Sequence, residues 1–195
     1  MKTTYAILIW VAIVQGGDPQ WSAFAEVKTG PFHPGIRNFL EVYSDSRPMS
    51  TVKIGLGSSG GFLVGRYSYS LFRGTSQIRG IAVNGDAVWE ERIAAAGIRS
   101  YQKPLYLELL YLKGSVKETI STRDPVIETL TATYYDPDVR GYAIVAGFIL
   151  PLISIVKLNI EGEYIRLPVY RDPVQKHDQV NIGGFHVSAG ITVQL

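Results

Sequence analysis

Four residues toward the C-terminal end have the types and spacing of a hydrolytic site. His186 and Ser188 stand two apart, and Glu161 and Glu163 stand two apart earlier in the chain. If both segments are extended, each pair projects to one side of its strand. Neighbouring antiparallel strands would then bring an acid, a base and a hydroxyl nucleophile together. The same residues also suit a purely structural part, a polar interior in which Lys157 or Arg66 neutralises Glu161 and Glu163, because enclosed charge needs a partner or water.

Other constellations point away from chemistry. The stretch GSSGG at 57–61 has neither the GxxxxGK[ST] spacing nor a following helix, so it reads as a turn. His33, His177 and His186 show no ligand spacing, and Asp136, Asp138, Asp172 and Asp178 read as loop residues kept in water. Neither a transition metal nor calcium is expected, and no cofactor. The chain contains no cysteine, which excludes thiol nucleophiles, disulfides and thiolate metal sites. Its 19 Lys and Arg against 17 Asp and Glu are scattered, so nucleic acid is not a partner.

The elements that must position these side chains are strands. In FHVSAGITVQL, Phe185, Val187, Ala189, Ile191, Val193 and Leu195 alternate with His186, Ser188, Gly190, Thr192 and Gln194. That is the period of a strand with unlike faces. SIVKLNIEGEYIRL repeats it, setting Val156, Leu158, Ile160, Gly162 and Tyr164 against Lys157, Asn159, Glu161 and Glu163. Val52, Ile54 and Leu56 alternate with Lys53, Gly55 and Gly57; a turn at 58–61 follows. Leu63, Gly65, Tyr67, Tyr69 and Leu71 then oppose Arg66, Ser68 and Ser70, which completes a hairpin.

The remaining segments are less regular. Residues 77–85 read as a short strand ending on the turn dipeptide Asn84-Gly85. Residues 86–97 fit either a short helix capped by Asp86 and ended by Gly97, or a strand from Arg92 to Tyr101. Leu105, Leu107, Leu109 and Tyr111 oppose Glu108, but Leu110 and Leu112 blur the alternation, so this strand has both sides covered or carries a bulge. A strand at 126–135, a turn at Asp136-Pro137-Asp138 and a strand at 142–153 ended by Pro151 follow, with a polar loop at 171–180. Phe39 to Tyr43 form a short early strand. The count is eight to ten strands joined by short turns without crossover helices, an antiparallel meander.

The N-terminus has the form of an export leader. Lys2 precedes an apolar run from Ala6 to Val14, and Ala23-Phe24-Ala25 supplies small residues where a signal peptidase reads. The expected organisation is a leader at 1–25, an extension or short first strand at 26–49 and one strand domain at 50–195. Nine apolar residues are too few to span a hydrocarbon core, which takes roughly 20 in a helix.

An exported meander can bury its apolar face as a soluble barrel or sandwich, or turn it outward into lipid around a polar interior. Export, absent cysteine, 12 tyrosines and short turns favour the second. In lipid every backbone group must be paired, which a closed barrel achieves. Interior polar residues are then Arg66, Glu108, Lys157, Asn159, Glu161, Glu163, His186 and Ser188. Lipid-facing ones are Leu63, Tyr67, Leu107, Leu158, Ile160, Tyr164, Phe185, Val187, Ile191 and Val193.

The stretch from GYAIVAGFILPLI through VKLNIEGEYIRL to VNIGGFHVSAGITVQL resembles the end of the small outer-membrane β-barrel proteins of Gram-negative bacteria, the opacity-like family. Glu163-Tyr164 matches its acidic-aromatic pair, and His186 with Gly190 matches its last strand. The family usually ends on Phe or Trp, where this chain has Leu195. The resemblance implies an all-β, closed, up-and-down transmembrane barrel of eight strands, ten being the alternative count. It implies a monomer in the outer membrane whose partners are lipid, the barrel-insertion machinery and surface ligands reached through loops, with a structural or surface-interaction role and no catalysis. The His-x-Ser pair also resembles the outer-membrane lipid A deacylases, which are barrel enzymes using Ser, His and Glu. A barrel-embedded hydrolase with Ser188, His186 and Glu161 or Glu163, and a soluble lipocalin-like barrel binding an apolar ligand, stand as the alternatives.

Overall fold

In the computed structural model the described residues are 21–35, 43, 48–58, 60–78, 81–122, 131–170 and 179–195. All regular structure among them is strand. Eight strands carry the sheet: β1 (Ser22–Gly30), β3 (Met49–Ser58), β4 (Gly61–Ile78), β5 (Ile81–Gln102), β6 (Leu105–Thr122), β7 (Thr131–Pro151), β8 (Val156–Arg166) and β11 (Gly184–Gln194). A short β2 (Phe32–Pro34) follows β1, and β9 (Pro168–Tyr170) pairs with β10 (Gln179–Asn181) as a separate ribbon. The fold is all-β and antiparallel, with a barrel-like topology.

Each long strand pairs with its successor, and β1 pairs both with β3 (Val27 opposite Val52) and with β11 (Val27 opposite Ile191). β2 continues this pairing past Pro31, setting Phe32 opposite His186. The β3–β4 reversal falls at residues 58–61, where two glycines follow two serines. Two inward-facing glycines make room for rings: a Cβ on Gly55 would lie 2.1 Å from the Phe24 ring, and one on Gly147 2.0 Å from the Tyr106 ring.

The enclosed face is layered. Nearest the short turns Phe24, Phe62 and Ile149 are buried, and above them the face is polar, from Glu26 and Lys28 to Glu161 and Thr192. Toward the other end it is apolar, with Phe32, Phe72, Trp89, Leu110, Leu112, Val116, Val139 and Ile165 buried together.

Several sequence expectations change. Residues 86–97 are strand throughout, within β5, so the helix is not formed. Their alternation is hidden because the strand crosses two environments: Ala87, Trp89, Glu91, Ile93 and Arg99 are buried, while Glu90, Arg92, Ala94 and Ala96 look out. Asn84-Gly85 is not a turn. Gly85 pairs with Thr122, and the chain reverses between Ile78 and Ile81 instead, so pairing with β6 overrides the local turn preference.

Asp136-Pro137-Asp138 is a bulge within β7, which joins the two expected strands into one: Val116 faces Asp136 and Gly114 faces Val139, leaving one residue opposite two. Proline offers no ladder N–H and suits that place, and the Asp138 N–H donates to Asp136 Oδ1 at 3.1 Å. Asp136 and Asp138 are therefore strand residues. The expected strand at Phe39 to Tyr43 lies outside the described residues except for Tyr43, which is buried outside any strand. Most of the expected loop at 171–180 lies outside them too, though Gln179 and Val180 belong to β10.

The boundary drawn after Ala25 falls inside β1. Phe24 is buried there, its ring 5.3 Å from that of Phe62. A chain beginning at Glu26 therefore loses part of the strand that joins β3 to β11. Refolded in detergent, it is expected to fail or to melt well below a chain beginning at Trp21, as followed by circular dichroism. Phe24→Ala in the longer chain should cost about 3–5 kcal/mol.

Candidate functional site

The sheet curls far enough for side chains on five strands to share one charged cluster. Alternation sends Glu26 and Lys28 of β1, Lys53 of β3, Arg99 of β5, Glu108 of β6 and Glu161 of β8 to the enclosed face. Glu161 accepts from Lys28 Nζ at 2.5 Å, Lys53 Nζ at 2.9 Å and the Tyr106 hydroxyl at 2.7 Å. Lys53 also donates to Glu108 at 2.6 Å, and Lys28 lies 2.7 Å from Glu26.

Arg99 closes the circuit, donating to Glu26 at 2.5 and 2.8 Å and to Glu108 at 2.5 Å. Its guanidinium lies 4.2 Å from the ring centroids of both Phe24 and Tyr106. That is the distance of cation–π contact. A second group lies beside it: Arg66 bonds Glu163 and Ser68, and His186 Nδ1 is 3.4 Å from Glu163. Four carboxylates thus meet four cations. A fifth buried carboxyl, Glu91, accepts from Trp89 Nε1 at 2.8 Å. Since removing a charge from water costs on the order of several kcal/mol, this many charges persist inside only when mutually paired.

The outer face is the converse. Leu63 and Leu107 are each 62% exposed, Ile160 45% and Val193 38%. Tyr67, Tyr164, Phe185, Val187 and Ile191 are also exposed, while Leu158 is half-buried. Tyr67, Tyr69, Tyr111, Tyr142 and Tyr164 edge this apolar belt, and Arg92, Lys113, Arg140 and Arg166 stand just beyond. There the hydrogen bond from Arg140 holds the Asp138 carboxyl below its ordinary range. Further out on β7, burial pushes the Tyr134 hydroxyl up to about 12, helped by the charges of Asp136 and Glu118.

Of the residues singled out in the sequence, Arg66, Glu108, Asn159, Glu161, Glu163, His186 and Ser188 are buried on the enclosed face. Lys157 is half-buried at the mouth, where it donates to Gln194. It does not neutralise Glu161; Lys28 and Lys53 do, because they reach the centre from strands further round the sheet. The hydrolytic arrangement is not assembled. Ser188 donates to Glu161 at 3.4 Å, His186 is held at Glu163, and no hydrogen bond joins Ser188 to His186 among the described residues. A lipocalin-like core would need Leu63, Leu107, Ile160 and Val193 to point inward, and all four are exposed. His33 is exposed while His186 is buried; His177, Asp172 and Asp178 lie outside the described residues.

Sequence reasoning passed over Glu26, Lys28, Lys53, Arg99 and Tyr106. The signal was present: Phe24, Glu26 and Lys28 alternate with Ala25 and Val27 as sharply as the last strand does, but a boundary after Ala25 hides it.

No family model matches the sequence, and no curated protein is significantly similar to it. Among solved structures the chain is similar to Ail, the attachment invasion locus protein of Yersinia pestis, at 12% identity and a TM-score of 0.53 over 92% of this chain and 100% of that one. It is also similar to Ail in complex with the heparin analogue sucrose octasulfate, at 9% identity and a TM-score of 0.50 over 90% and 97%. Neisserial surface protein A gives 11% identity and a TM-score of 0.47 over 89% and 96%. What is shared at such identity is fold: this is a small all-β chain resembling outer-membrane β-barrel proteins.

Glu161→Gln should destabilise the protein by about 3–5 kcal/mol, because it leaves two buried ammonium groups short of a partner. Lys157→Gln at the mouth should stay within about 0.5 kcal/mol. Urea unfolding of the refolded variants followed by tryptophan fluorescence measures both.

Proposed function

We propose that the chain is a closed, eight-stranded outer-membrane barrel with a structural or surface-interaction role and no catalysis. The observation that carries this reading is the inversion of the two faces: paired charges within, and a continuous apolar belt edged by tyrosines without. A β-barrel in lipid requires that distribution, with short turns at the periplasmic end and longer connections at the other.

On this reading Leu63, Tyr67, Leu107, Leu158, Ile160, Tyr164, Phe185, Val187, Ile191 and Val193 meet acyl chains, and the Arg and Lys residues beyond the tyrosines meet headgroups. The export leader ends upstream of Ser22, so that β1 is kept whole. Insertion depends on the barrel-assembly machinery, and contacts with surface partners fall to the loops opposite the short turns. The filled interior favours a monomer without a wide pore, as eight strands leave a lumen that side chains can occupy.

Membrane fractionation with gel migration before and after heating tests the closed barrel. The protein is expected in the outer-membrane fraction, migrating faster unheated than heated; a soluble fraction with no heat-dependent shift would sink the reading. Leu107→Arg is expected to cost about 2–4 kcal/mol when the protein is folded in bilayers, if Leu107 lies near mid-depth. On a water-exposed surface the same change would stay within about 0.5 kcal/mol.

A further inference from the structure

Three turns stand at one end of the sheet, and they differ in kind. The β3–β4 turn is made of Ser58, Ser59, Gly60 and Gly61, and the β5–β6 turn of Gln102, Lys103 and Pro104. Serine, glycine and proline are residues that a turn in water ordinarily carries. The β7–β8 turn instead places Leu152, Ile153, Ser154 and Ile155 between Pro151 and Val156. Its large side chains are not folded back onto the protein: Leu152 is 57% exposed, Ile153 61% and Ile155 44%. No charged residue occurs between Arg140 and Lys157, and Lys157 is turned to the mouth, where it donates to Gln194.

The turn is held to the sheet by its backbone. The Leu152 and Ile153 N–H groups both donate to the Val156 carbonyl, at 3.0 and 3.1 Å, and the Ile155 carbonyl accepts from the Gln194 N–H at 2.9 Å. Ile155 is thereby set beside the end of β11, where Leu195 is exposed. Leu195 exchanges backbone hydrogen bonds with Ala23, two residues on from the exposed Trp21. The same apolar surface continues into the belt: Leu150 of β7 looks outward opposite Leu158, and Val193 of β11 looks outward opposite Val156.

We propose that the β7–β8 turn is immersed in the acyl layer of the periplasmic leaflet, so that this side of the barrel sits deeper in lipid than the β3–β4 and β5–β6 turns, which stand in water. The inference rests on the outer-membrane reading and adds to it where the lipid boundary runs. Lipid suits the turn on three grounds. Its apolar surface is continuous with the belt, it carries no charge, and the N–H groups of Leu152 and Ile153 are met within the protein, as a backbone in hydrocarbon requires. Trp21 beside it is of the type that collects at the edge of a bilayer. Size argues against a protein partner. Beyond the belt the large exposed apolar residues of this rim are, among the described residues, Trp21, Leu152, Ile153, Ile155 and Leu195, whereas a stable protein interface takes roughly 20 to 30 residues a side.

The chain contains no cysteine, so Ile153→Cys, Ser58→Cys, Lys103→Cys and Leu107→Cys can each carry a single nitroxide. Refolded into vesicles of phosphatidylethanolamine and phosphatidylglycerol, with folding followed by circular dichroism, the four are compared by electron paramagnetic resonance. The measured quantity is collision with oxygen, which concentrates in lipid, relative to collision with a water-soluble nickel chelate. The oxygen-to-nickel ratio at 153 is expected to approach that at 107 and to exceed those at 58 and 103 severalfold. A ratio at 153 as low as that at 103, with 107 in lipid, overturns the inference and leaves the barrel reading standing. Nickel access at all four positions overturns the barrel reading, and the inference with it. Lipid values at 58 and 103 as well overturn the one-sided depth. Spin–spin broadening at 153 that disappears on dilution with unlabelled protein assigns the turn to a second copy and overturns lipid as its occupant. Should Ile153→Cys not refold, Leu152→Cys decides between the same outcomes.

Discussion

Charge neutrality within the sheet is the constraint on which the rest of the structure depends. Lys28, Lys53 and Arg99 meet Glu26, Glu108 and Glu161 in one circuit, and Arg66 meets Glu163 beside it. These side chains come from six strands, β1, β3, β4, β5, β6 and β8, so the pairing requires the sheet to curl until strands distant in order face each other. Curvature and neutrality are two aspects of one arrangement. On a flat sheet the same side chains would stand out from one face in parallel, and those on strands distant in order would not meet.

The interior layers follow from what each can satisfy. Where the polar storey ends, Phe32 and Phe72 begin an apolar packing that continues through Leu110, Leu112 and Val116. That packing needs no partners but shape. Among the described residues Arg66 Nη2, Ser70 Oγ and His186 Nε2 are buried without a hydrogen-bond partner. Outside, the sequence of surfaces runs from apolar belt to tyrosine edge to Arg92, Lys113 and Arg140, the gradient that an interface between hydrocarbon and water would select.

The site was partly legible. Glu161, Glu163, His186 and Ser188 stood out because their strands alternate cleanly, and the enclosed face holds them all. Their interpretation as an acid, a base and a nucleophile depended on which atoms approach, and there the register sets Ser188 beside Glu161 and His186 beside Glu163. Lys157 looked like the partner of Glu161 because it sits on the same strand and face. Residues four apart on a strand are too far apart to pair unaided, and Lys28 and Lys53 reach Glu161 from across the curl.

By itself the sequence determined the periodicity, and with it which residues of β3, β4, β8 and β11 share a face, since side-chain alternation is local to the backbone. It also determined that Gly and Pro would end strands at 58–61 and at Pro151. Only the tertiary structure decided that residues 86–97 extend as strand, that Pro137 sits in a bulge, and that β1 begins before Ala25. Only the fold, too, assigned Lys28 and Lys53 to Glu161. The reason is the same in each case: strand pairing and ion pairing join positions far apart in the chain, and their energies exceed the local preferences that a single stretch of residues expresses.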